Sequence, residues 1–320
     1  MAAENTLQAV IDIGTNSMRL LIYWFDAAGA LQRTGKWVQY TRMGEGVDRT
    51  GCLAEGAIAR NLKALRDFAA QATDQGVALP AIAAFATSAV RDAENGADFC
   101  DAALRETGVH VQVIDGETEA AYGFAGVSQC FDGRILICDI GGGSTELILG
   151  ANSQIETVRS LNMGCVRATE KWLKVDPPGR GAMDAVEEAM AAMLSEALPA
   201  YDLSAPCQLV GIGGTATTLT AIRQRLADYD RNAVHLSRLT VADVEALQAK
   251  LAAVPLAARK KIAGLAPSRA DIILAGTAIL KAVMKACDQD TLVICDNDNL
   301  EGAALLMQRR GGVKIKQKKS

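Results

Sequence analysis

The sequence predicts an α/β fold of two duplicated domains with a cleft between them. Two observations lead to this prediction, the length of the chain and an internal repeat. A chain of 320 residues is longer than one hydrophobic core usually organises, so two domains are expected. The repeat is an apolar strand, an aspartate, a glycine turn and a second apolar strand, starting near residues 9 and 135. Repetition one domain apart indicates a duplicated fold rather than a solenoid.

The second copy, ICDIGGGSTELILG at residues 137–150, has the clearest pattern in the chain. Apolar residues on both sides of three glycines predict a tight hairpin. Glycines let the backbone approach a ligand closely, and their N–H groups can converge on an anion. Asp139 and Glu146 flank the turn and supply the hard oxygen ligands that magnesium prefers. A lone glycine turn is as often an ordinary hairpin, so the interpretation depends on the repeat.

The first copy is AVIDIGTNSMRLLIYWF at residues 9–25, which places Asp12 opposite Asp139 in the alignment of the two copies. Two such turns facing each other across a cleft would clamp a phosphate, because each offers backbone donors and a hydroxyl group. Arg19 stands where the second copy has Glu146. This difference biases the first turn towards anions and the second towards a metal ion.

Composition narrows the function classes. Hydrophobic residues make up 50% of the chain, charged residues 22%, and the net charge is −4, so nothing draws the whole protein towards nucleic acid or an anionic membrane. Eight cysteines without a CxxC pair and only two histidines argue against a zinc site. No signal peptide or long apolar run is visible, so we expect a cytoplasmic protein.

Residues 81–99 predict a buried strand, a polar turn and the start of a helix, after an amphipathic helix over 55–76. Arg91 follows the strand at the usual ligand edge of an α/β sheet and could bind a phosphate with its guanidinium fork. A surface ion pair with Asp92 or Glu94 is the competing interpretation.

Residues 109–127 predict a strand, a turn and a helix whose first turn carries Glu117 and Glu119. Acidic residues are common there because of the helix dipole alone. A carboxylate opposite two phosphate-binding turns would, however, be placed to activate a water molecule.

In the second half, residues 207–222 predict another strand, glycine turn and helix. The N–H groups of Gly213, Gly214 and Thr215 could bind an anion or nucleotide at the helix N-terminus, although tight strand–helix packing explains the glycines as well. Helices are expected over 184–198, 240–251, 269–286 and 301–310, with a strand over 291–296.

Together these segments resemble the exopolyphosphatase / guanosine pentaphosphate phosphohydrolase (Ppx/GppA) family, within the actin, Hsp70 and sugar kinase superfamily. The matching stretches are DIGTNSMRLLIY (12–23), FATSAVRDAENGADF (85–99), VIDGETEAAYGFAGV (113–127), DIGGGSTELILG (139–150), LNMGCVRATE (161–170), GIGGTATTL (211–219) and RADIILAGTAIL (269–280). The resemblance implies a ribonuclease H-like domain over 1–127, another over 128–302, a helix at about 303–312 that packs back on the first, and a basic disordered tail over 313–320.

The resemblance also implies roles for individual residues. Glu119 resembles the general base, with Glu117 as the alternative. Asp139, Glu146 and Asp12 resemble the acidic residues that hold a divalent cation, namely Mg²⁺, with Mn²⁺ as an alternative and K⁺ as a monovalent option. The residues that resemble the terminal phosphate site are Asn16, Ser17, Arg19, Arg91, Gly141, Gly142, Gly143, Ser144 and Thr145.

The implied function is hydrolysis of the terminal phosphate of inorganic polyphosphate, in a short two-domain family member expected to prefer shorter chains. The alternative substrate is guanosine pentaphosphate (pppGpp, converted to ppGpp), and a superfamily kinase or ATPase, or a ppGpp sensor, ranks lower. Inhibition by ppGpp and a homodimer are further expectations, with no nucleic-acid or membrane partner. One departure is the segment 298–302, DNLEG, which lacks the arginine of the family's Leu-Arg-Glu-Gly.

Overall fold

A computed structural model of the protein describes residues 6–309 and contains two mixed β-sheets. The first sheet has the strand order β3-β2-β1-β4-β5 and the second has the order β10-β11-β9-β6-β7-β8. The strands are β1 (Gln8–Ile13), β2 (Met18–Phe25), β3 (Leu31–Gln39), β4 (Ile82–Ala86), β5 (Val111–Val113), β6 (Arg134–Ile140), β7 (Thr145–Ala151), β8 (Gln154–Leu161), β9 (Gln208–Ile212), β10 (Arg238–Thr240) and β11 (Thr291–Ile294).

The two sheets share one topology, which confirms the predicted duplicated α/β fold. In the first, β1 pairs antiparallel with β2 and parallel with β4. In the second, β6 pairs antiparallel with β7 and parallel with β9. The short β10 is an addition that pairs antiparallel with β11 at the edge of the second sheet.

Helices cover the outer faces of both sheets and fill the space between them. They are α1 (Val47–Thr50), α2 (Glu55–Asp74), α3 (Ser88–Arg91), α4 (Gly96–Thr107), α5 (Gly116–Val127), α6 (Cys165–Trp172), α7 (Arg180–Ala197), α8 (Gly213–Gln224), α9 (Arg231–Val234), α10 (Val241–Ala252), α11 (Leu256–Arg259), α12 (Ile273–Ala286) and α13 (Asn299–Arg309). Single 3-10 turns occupy Leu79–Ala81, Ser128–Cys130, Leu198–Ala200 and Pro267–Arg269. The last of these explains why α12 begins later than the sequence predicts. The expected tail lies outside the described residues, as do the last residues of the predicted C-terminal helix. Within residues 6–309, no helix combines the length and apolarity needed to cross a bilayer.

The helices α5 and α13 lie side by side between the two sheets. Tyr122 of α5 and Leu300 of α13 belong to a cluster on the first sheet, whereas Phe124 of α5 packs in a cluster on the second. The domain boundary predicted after residue 127 therefore separates the sheets in sequence, while α5 packs against both. Any group carried by α5 is positioned by both halves of the protein.

Two glycines allow α5 and α13 to approach this closely. A Cβ atom built on Gly126 would lie 2.3 Å from the Asp298 carbonyl oxygen, and one on Gly302 would lie 1.6 Å from the Tyr122 carbonyl oxygen. Both contacts involve backbone, which can give way only if the helices separate.

We predict that Gly302→Ala destabilises the fold by about 1–3 kcal/mol or more, since the new methyl group must force the helices apart. Gly181→Ala is the matched control, because Gly181 lies in the first turn of α7 with nothing within 4 Å of a built Cβ. A helical Gly→Ala change in open space is expected to stabilise by ~0.5–1 kcal/mol. Urea unfolding followed by circular dichroism measures both changes, and equal midpoints for the two variants would contradict the packing argument.

Candidate active site

Each of the two repeated hairpins carries one pair of ionisable side chains, and the pair occupies the same position in both. On the first hairpin, Asp12 of β1 is the cross-strand partner of Arg19 of β2. On the second, Asp139 of β6 is the partner of Glu146 of β7. Direct cross-strand partners project from the same face of a sheet. The first hairpin thus carries an ion pair, as the Arg19–Asp12 contact confirms, and the second carries two like charges.

The glycine turn of the second hairpin packs directly against the first half. A Cβ atom on Gly142 would lie 2.7 Å from Thr15 Cβ, and one on Gly143 would lie 2.8 Å from the Ser88 hydroxyl oxygen. Thr15 and Ser88 are themselves joined by a buried hydrogen bond of 2.9 Å. Side chains in this turn would push the halves apart, so the glycines are required by the close approach.

A cavity of ≈ 80 Å³ lies where the two hairpin turns meet. Both turns, the helix α5 and the N-terminus of α8 contribute to its walls. The predicted site residues that line it are Asp12, Asn16, Ser17, Arg19, Glu119, Asp139, Gly141, Gly142, Ser144, Gly213 and Gly214. Thr15, Thr87, Arg269 and Asn299 line it as well.

The other predicted residues lie behind these walls or beside them. The Thr145 hydroxyl donates to the Met163 carbonyl at 2.6 Å, and Thr215 packs against Gly276 of α12. Glu146 is 2% exposed and accepts a hydrogen bond of 2.7 Å from the Ser160 hydroxyl. Gly143 faces Ser88 on the other side of the turn.

Arg91 makes the predicted ion pair with Asp92 and a further contact that was not predicted, with Glu119. Its guanidinium lies 3.4 Å from the Asp92 carboxylate and 3.8 Å from the Glu119 carboxylate. It also donates to the Ile114 carbonyl at 3.1 Å. These contacts tie Arg91 to the strand end that precedes α5, next to the cavity but without lining it.

The first turn of α5 delivers Glu119 to the cavity. Asp115 caps the helix by accepting a hydrogen bond of 2.8 Å from the Thr118 backbone N–H. Glu119, one turn in, is 8% exposed and lines the cavity, whereas Glu117 is exposed to solvent. Of the two glutamates in the sequence motif, Glu119 is therefore the one placed to act on a ligand.

Several buried polar atoms in the cavity have no hydrogen-bond partner in the protein. They are Asp12 Oδ1, Glu119 Oε2 and both amide atoms of Asn16. Unpaired buried polar groups are rare in native proteins, and each calls for a partner such as water, an ion or a ligand. Their convergence on one cavity indicates that it is built to bind a polar ligand.

Burial and mutual repulsion raise the pKa values of the carboxylates around the cavity. Desolvation and the Glu146 charge raise the pKa of Asp139 to about 7. Desolvation, followed by the charges of Glu146, Asp12 and Asp139, raises the pKa of Glu119 well above its ordinary value, and Arg91 lowers it in part. Near neutral pH the cluster therefore holds protons or must gain positive charge.

The chemistry of these donors fits a divalent cation. Within the described residues, no group of three or more His, Cys, Asp or Glu side chains could hold a metal ion by itself. Magnesium, however, usually binds through one or two carboxylates and keeps waters and substrate phosphates as its other ligands. Asp139, which lines the cavity, and Glu146 behind it would hold such an ion, and the unpaired Asp12 Oδ1 offers a further oxygen.

Two groups of side chains beside the cavities were not predicted from the sequence. Asp298 accepts from Arg19 and from Lys36, the latter at 2.9 Å, and Lys36 also lies 3.3 Å from the fully buried Glu301. Arg269 lies across Gly214, where a Cβ would sit 1.9 Å from its guanidinium, and it donates to the Tyr40 hydroxyl at 3.0 Å. Segments remote in the sequence meet here, so no local pattern identifies them.

A larger cavity of ≈ 890 Å³ adjoins the small one and shares Arg19, Gly213, Gly214 and Arg269 with it. Its walls combine cationic, aromatic and aliphatic side chains. They include Arg33, Lys36, Trp37, Tyr40, Leu226, Tyr229, Arg231, Ile262 and Leu265. A ligand held by its end in the small cavity would extend into this larger space.

Comparison with known proteins gives consistent matches over nearly the whole chain. The family model described as Ppx/GppA phosphatase family matches residues 25–308. Exopolyphosphatase 2 of Mycobacterium tuberculosis is 35% identical over 317 residues, which cover 94% of this chain and 98% of that protein. The bifunctional 3-dehydroquinate synthase/phosphatase of Fusobacterium nucleatum is also 35% identical over 317 residues and 94% of this chain, which spans 46% of that longer protein.

A solved structure matches the fold as a whole. The crystal structure of the Aquifex aeolicus member of the Ppx/GppA protein family superposes with a TM-score of 0.79 at 30% identity. The match covers 96% of this chain and 99% of the other.

We predict that Glu146→Gln stabilises the metal-free protein at pH 8. A carboxyl group whose pKa is higher in the folded state makes stability fall as the pH rises from its ordinary pKa to the folded one, for Asp139 from 3.8 to about 7. Removing the Glu146 charge removes the second-largest cause of that rise, and the glutamine keeps an oxygen acceptor for Ser160.

Urea unfolding in EDTA at pH 5 and pH 8 measures the effect. The wild type should lose more stability between the two values than the variant, and MgCl₂ at pH 8 should stabilise the wild type more. Glu156→Gln on β8 is the control, since its ion pair with Arg134 lies at the surface and such pairs contribute only ~0–1 kcal/mol. An identical pH dependence in wild type and Glu146→Gln would refute the repulsion.

Proposed function

The chain belongs to the Ppx/GppA phosphatase family, as its sequence motifs suggest, and on that premise we propose that it hydrolyses the terminal phosphoanhydride bond of inorganic polyphosphate. The observation that carries the proposal is the small cavity, where two glycine turns and a buried glutamate face one another. Its size suits one phosphate group, and its continuation into a larger cavity leaves room for the rest of a chain.

In the proposed reaction the terminal phosphate lies between the two turns. The backbone N–H group of Gly142, the Ser144 hydroxyl and Arg19 meet the charge that develops on its equatorial oxygens. Hydrolysis of this kind requires mainly an in-line water, a base and such donors. Glu119 accepts a proton from the water as the water oxygen attacks the terminal phosphorus, and the shortened chain departs towards the larger cavity.

The cation is part of the same proposal. A divalent ion bound at Asp139 and Glu146 would offset their repulsion and neutralise charge on the phosphate oxygens. The same positive charge would favour the ionised form of Glu119, which a general base needs. We propose Mg²⁺, with Mn²⁺ as an alternative, because the available donors are oxygens.

A second candidate substrate, guanosine pentaphosphate, is favoured by the composition of the larger cavity. Tyr229, 55% exposed, and Trp37 offer aromatic surface, and Leu226 and Ile262 offer aliphatic surface. An inorganic polyphosphate chain has no apolar or aromatic surface to pack against such walls, whereas a nucleoside leaving group would stack on them. The same terminal anhydride would be cleaved in both substrates. Inhibition by ppGpp follows if a nucleoside tetraphosphate occupies this space.

We predict that Glu119→Gln lowers kcat by ~10²–10⁴, the usual contribution of a general base. Glu117→Gln, on the same helical turn but exposed to solvent, should leave phosphate release from polyphosphate unchanged. Comparable losses in the two variants, or full activity in Glu119→Gln, would exclude Glu119 as the base.

We predict that Tyr229→Ala separates the two candidate substrates. If the nucleoside stacks on this ring, the KM for guanosine pentaphosphate should rise about fivefold or more, the equivalent of ~1 kcal/mol of stacking, and Tyr229→Phe should restore it. The rate on tripolyphosphate should be unaffected, because Tyr229 does not line the small cavity. Equal effects on both substrates would argue against a nucleoside in the larger cavity.

A further inference from the structure

The chain passes between the two sheets through two segments that lie against each other. The first, residues 128–133, follows α5 and leads into the second sheet, and the other, residues 295–298, leads from β11 back to α13. The Asn297 side-chain amide donates to the Gly126 carbonyl near the end of α5 at 3.0 Å and to the Cys130 sulfur at 3.3 Å, so it ties the second segment to α5 and to the first segment. Any rotation of one half relative to the other has to bend both segments here.

Each of these segments carries one cysteine. Cys295 is 0% exposed and belongs to the apolar cluster against which the partly exposed Cys130 packs. The two thiols lie near enough to interact, and the Cys295 thiol is the largest influence that favours ionisation of Cys130. Both are free in this structure. The pair thus joins an accessible thiol to a fully buried one across the two connections.

Donors and a positive charge surround the Cys130 sulfur. The Asn297 side-chain amide donates to it at 3.3 Å. The nearby His235 ring favours its ionised form, and this ring is fixed because its Nδ1 accepts from the Asp296 backbone N–H at 3.2 Å. The Cys295 thiol, the His235 ring and the nearby Arg231 lower the pKa of Cys130, although burial opposes the shift. A lowered pKa increases the share of the thiolate, the reactive form.

The other half-buried cysteines are Cys52, Cys100 and Cys207, and they lack this environment. Cys52 donates to the Glu94 carboxylate at 3.9 Å. Burial, with a contribution from the Asp101 charge, raises the pKa of Cys100, and burial raises the pKa of Cys207. A thiol that stays protonated reacts slowly with oxidants. Among the described cysteines, Cys130 combines partial exposure, a lowered pKa and a second thiol nearby.

We propose that Cys130 is a peroxide-sensitive thiol and that Cys295 resolves it into a disulfide joining the two connecting segments. The Cys130 thiolate attacks hydrogen peroxide, breaks its O–O bond and becomes a sulfenic acid, and the released hydroxide takes up a proton to form water. The Cys295 sulfur then attacks the Cys130 sulfur, an S–S bond forms, and the departing hydroxyl leaves as water with the Cys295 proton. Two thiols are oxidised, and one peroxide is reduced to two waters.

The disulfide would affect the small cavity because each connecting segment adjoins a part of the site. One is α5, which carries Glu119, and the other is Asp298, which holds Arg19 and Lys36. Fixing the two segments to each other restricts the movement by which the hairpin turns separate and close. This part of the inference rests on the proposed function, so we expect phosphate release to fall on oxidation and to recover with dithiothreitol.

The test is hydrogen peroxide treatment of the full chain at pH 7, followed by alkylation and peptide mass spectrometry. A Cys130–Cys295 crosslinked peptide that disappears with dithiothreitol is expected, with loss of two of the eight free thiols. This readout does not depend on catalysis, so the bond is tested even if the proposed activity is wrong. If Cys130 stays reduced, or is oxidised without a crosslink to Cys295, the proposal is overturned.

Variants separate the two steps. Cys295→Ala should leave a Cys130 sulfenic acid that dimedone traps, and Cys130→Ser should remove both the crosslink and the peroxide sensitivity of phosphate release. Cys100→Ser is the matched control, a half-buried cysteine whose removal should change neither. If Cys295→Ala fails to fold, Cys130→Ser and Cys100→Ser still decide the question. Peroxide inactivation that persists in Cys130→Ser would place the sensitive group elsewhere.

Discussion

Repulsion between Asp139 and Glu146 is the constraint around which the site is arranged. Two carboxylates directly opposite each other on antiparallel strands destabilise a sheet, and here both are buried. The first hairpin avoids this repulsion, because the partner of Asp12 is Arg19. The second hairpin instead leaves a negative charge that an exchangeable cation can neutralise. The two hairpins thus differ in charge through one residue, which is Arg19 in the first and Glu146 in the second.

The helix α5 places a further carboxylate, Glu119, in the same cavity as Asp139. It packs on both sheets, and it brings Glu119 to the point where the two hairpins meet. The repulsion that raises the pKa of Asp139 also raises that of Glu119. A positive charge entering the cluster would therefore favour the ionised forms of Asp139 and Glu119 together. The repulsion among these buried carboxylates lowers the stability of the folded state, as is common at functional sites.

Sequence patterns could predict the parts of the site that are local. The two hairpins, their acidic residues and the choice of Glu119 over Glu117 follow from spacing and family motifs, because each lies within one turn or helix. The partners of Arg19 and Lys36 at Asp298 could not be predicted, since they meet across some 260 residues or more of chain. Thr145 shows that a residue within a local motif can still have a different role from the predicted one. Its hydroxyl donates to the Met163 carbonyl and does not line the small cavity.

The contacts of Asp298 also bear on the arginine that the segment 298–302 lacks. Leu300 is fully buried in the apolar cluster between β1, β2 and α13, where an unpaired guanidinium would be costly. Positive charge reaches the segment from the first sheet instead, through Arg33 and Lys36 of β3, which pair with Glu301. Arg19, held between Asp12 and Asp298, shares its charge with two carboxylates. Arg269, which donates to the uncharged Tyr40 hydroxyl and lines both cavities, therefore keeps more of its charge for an incoming polyanion than Arg19 does.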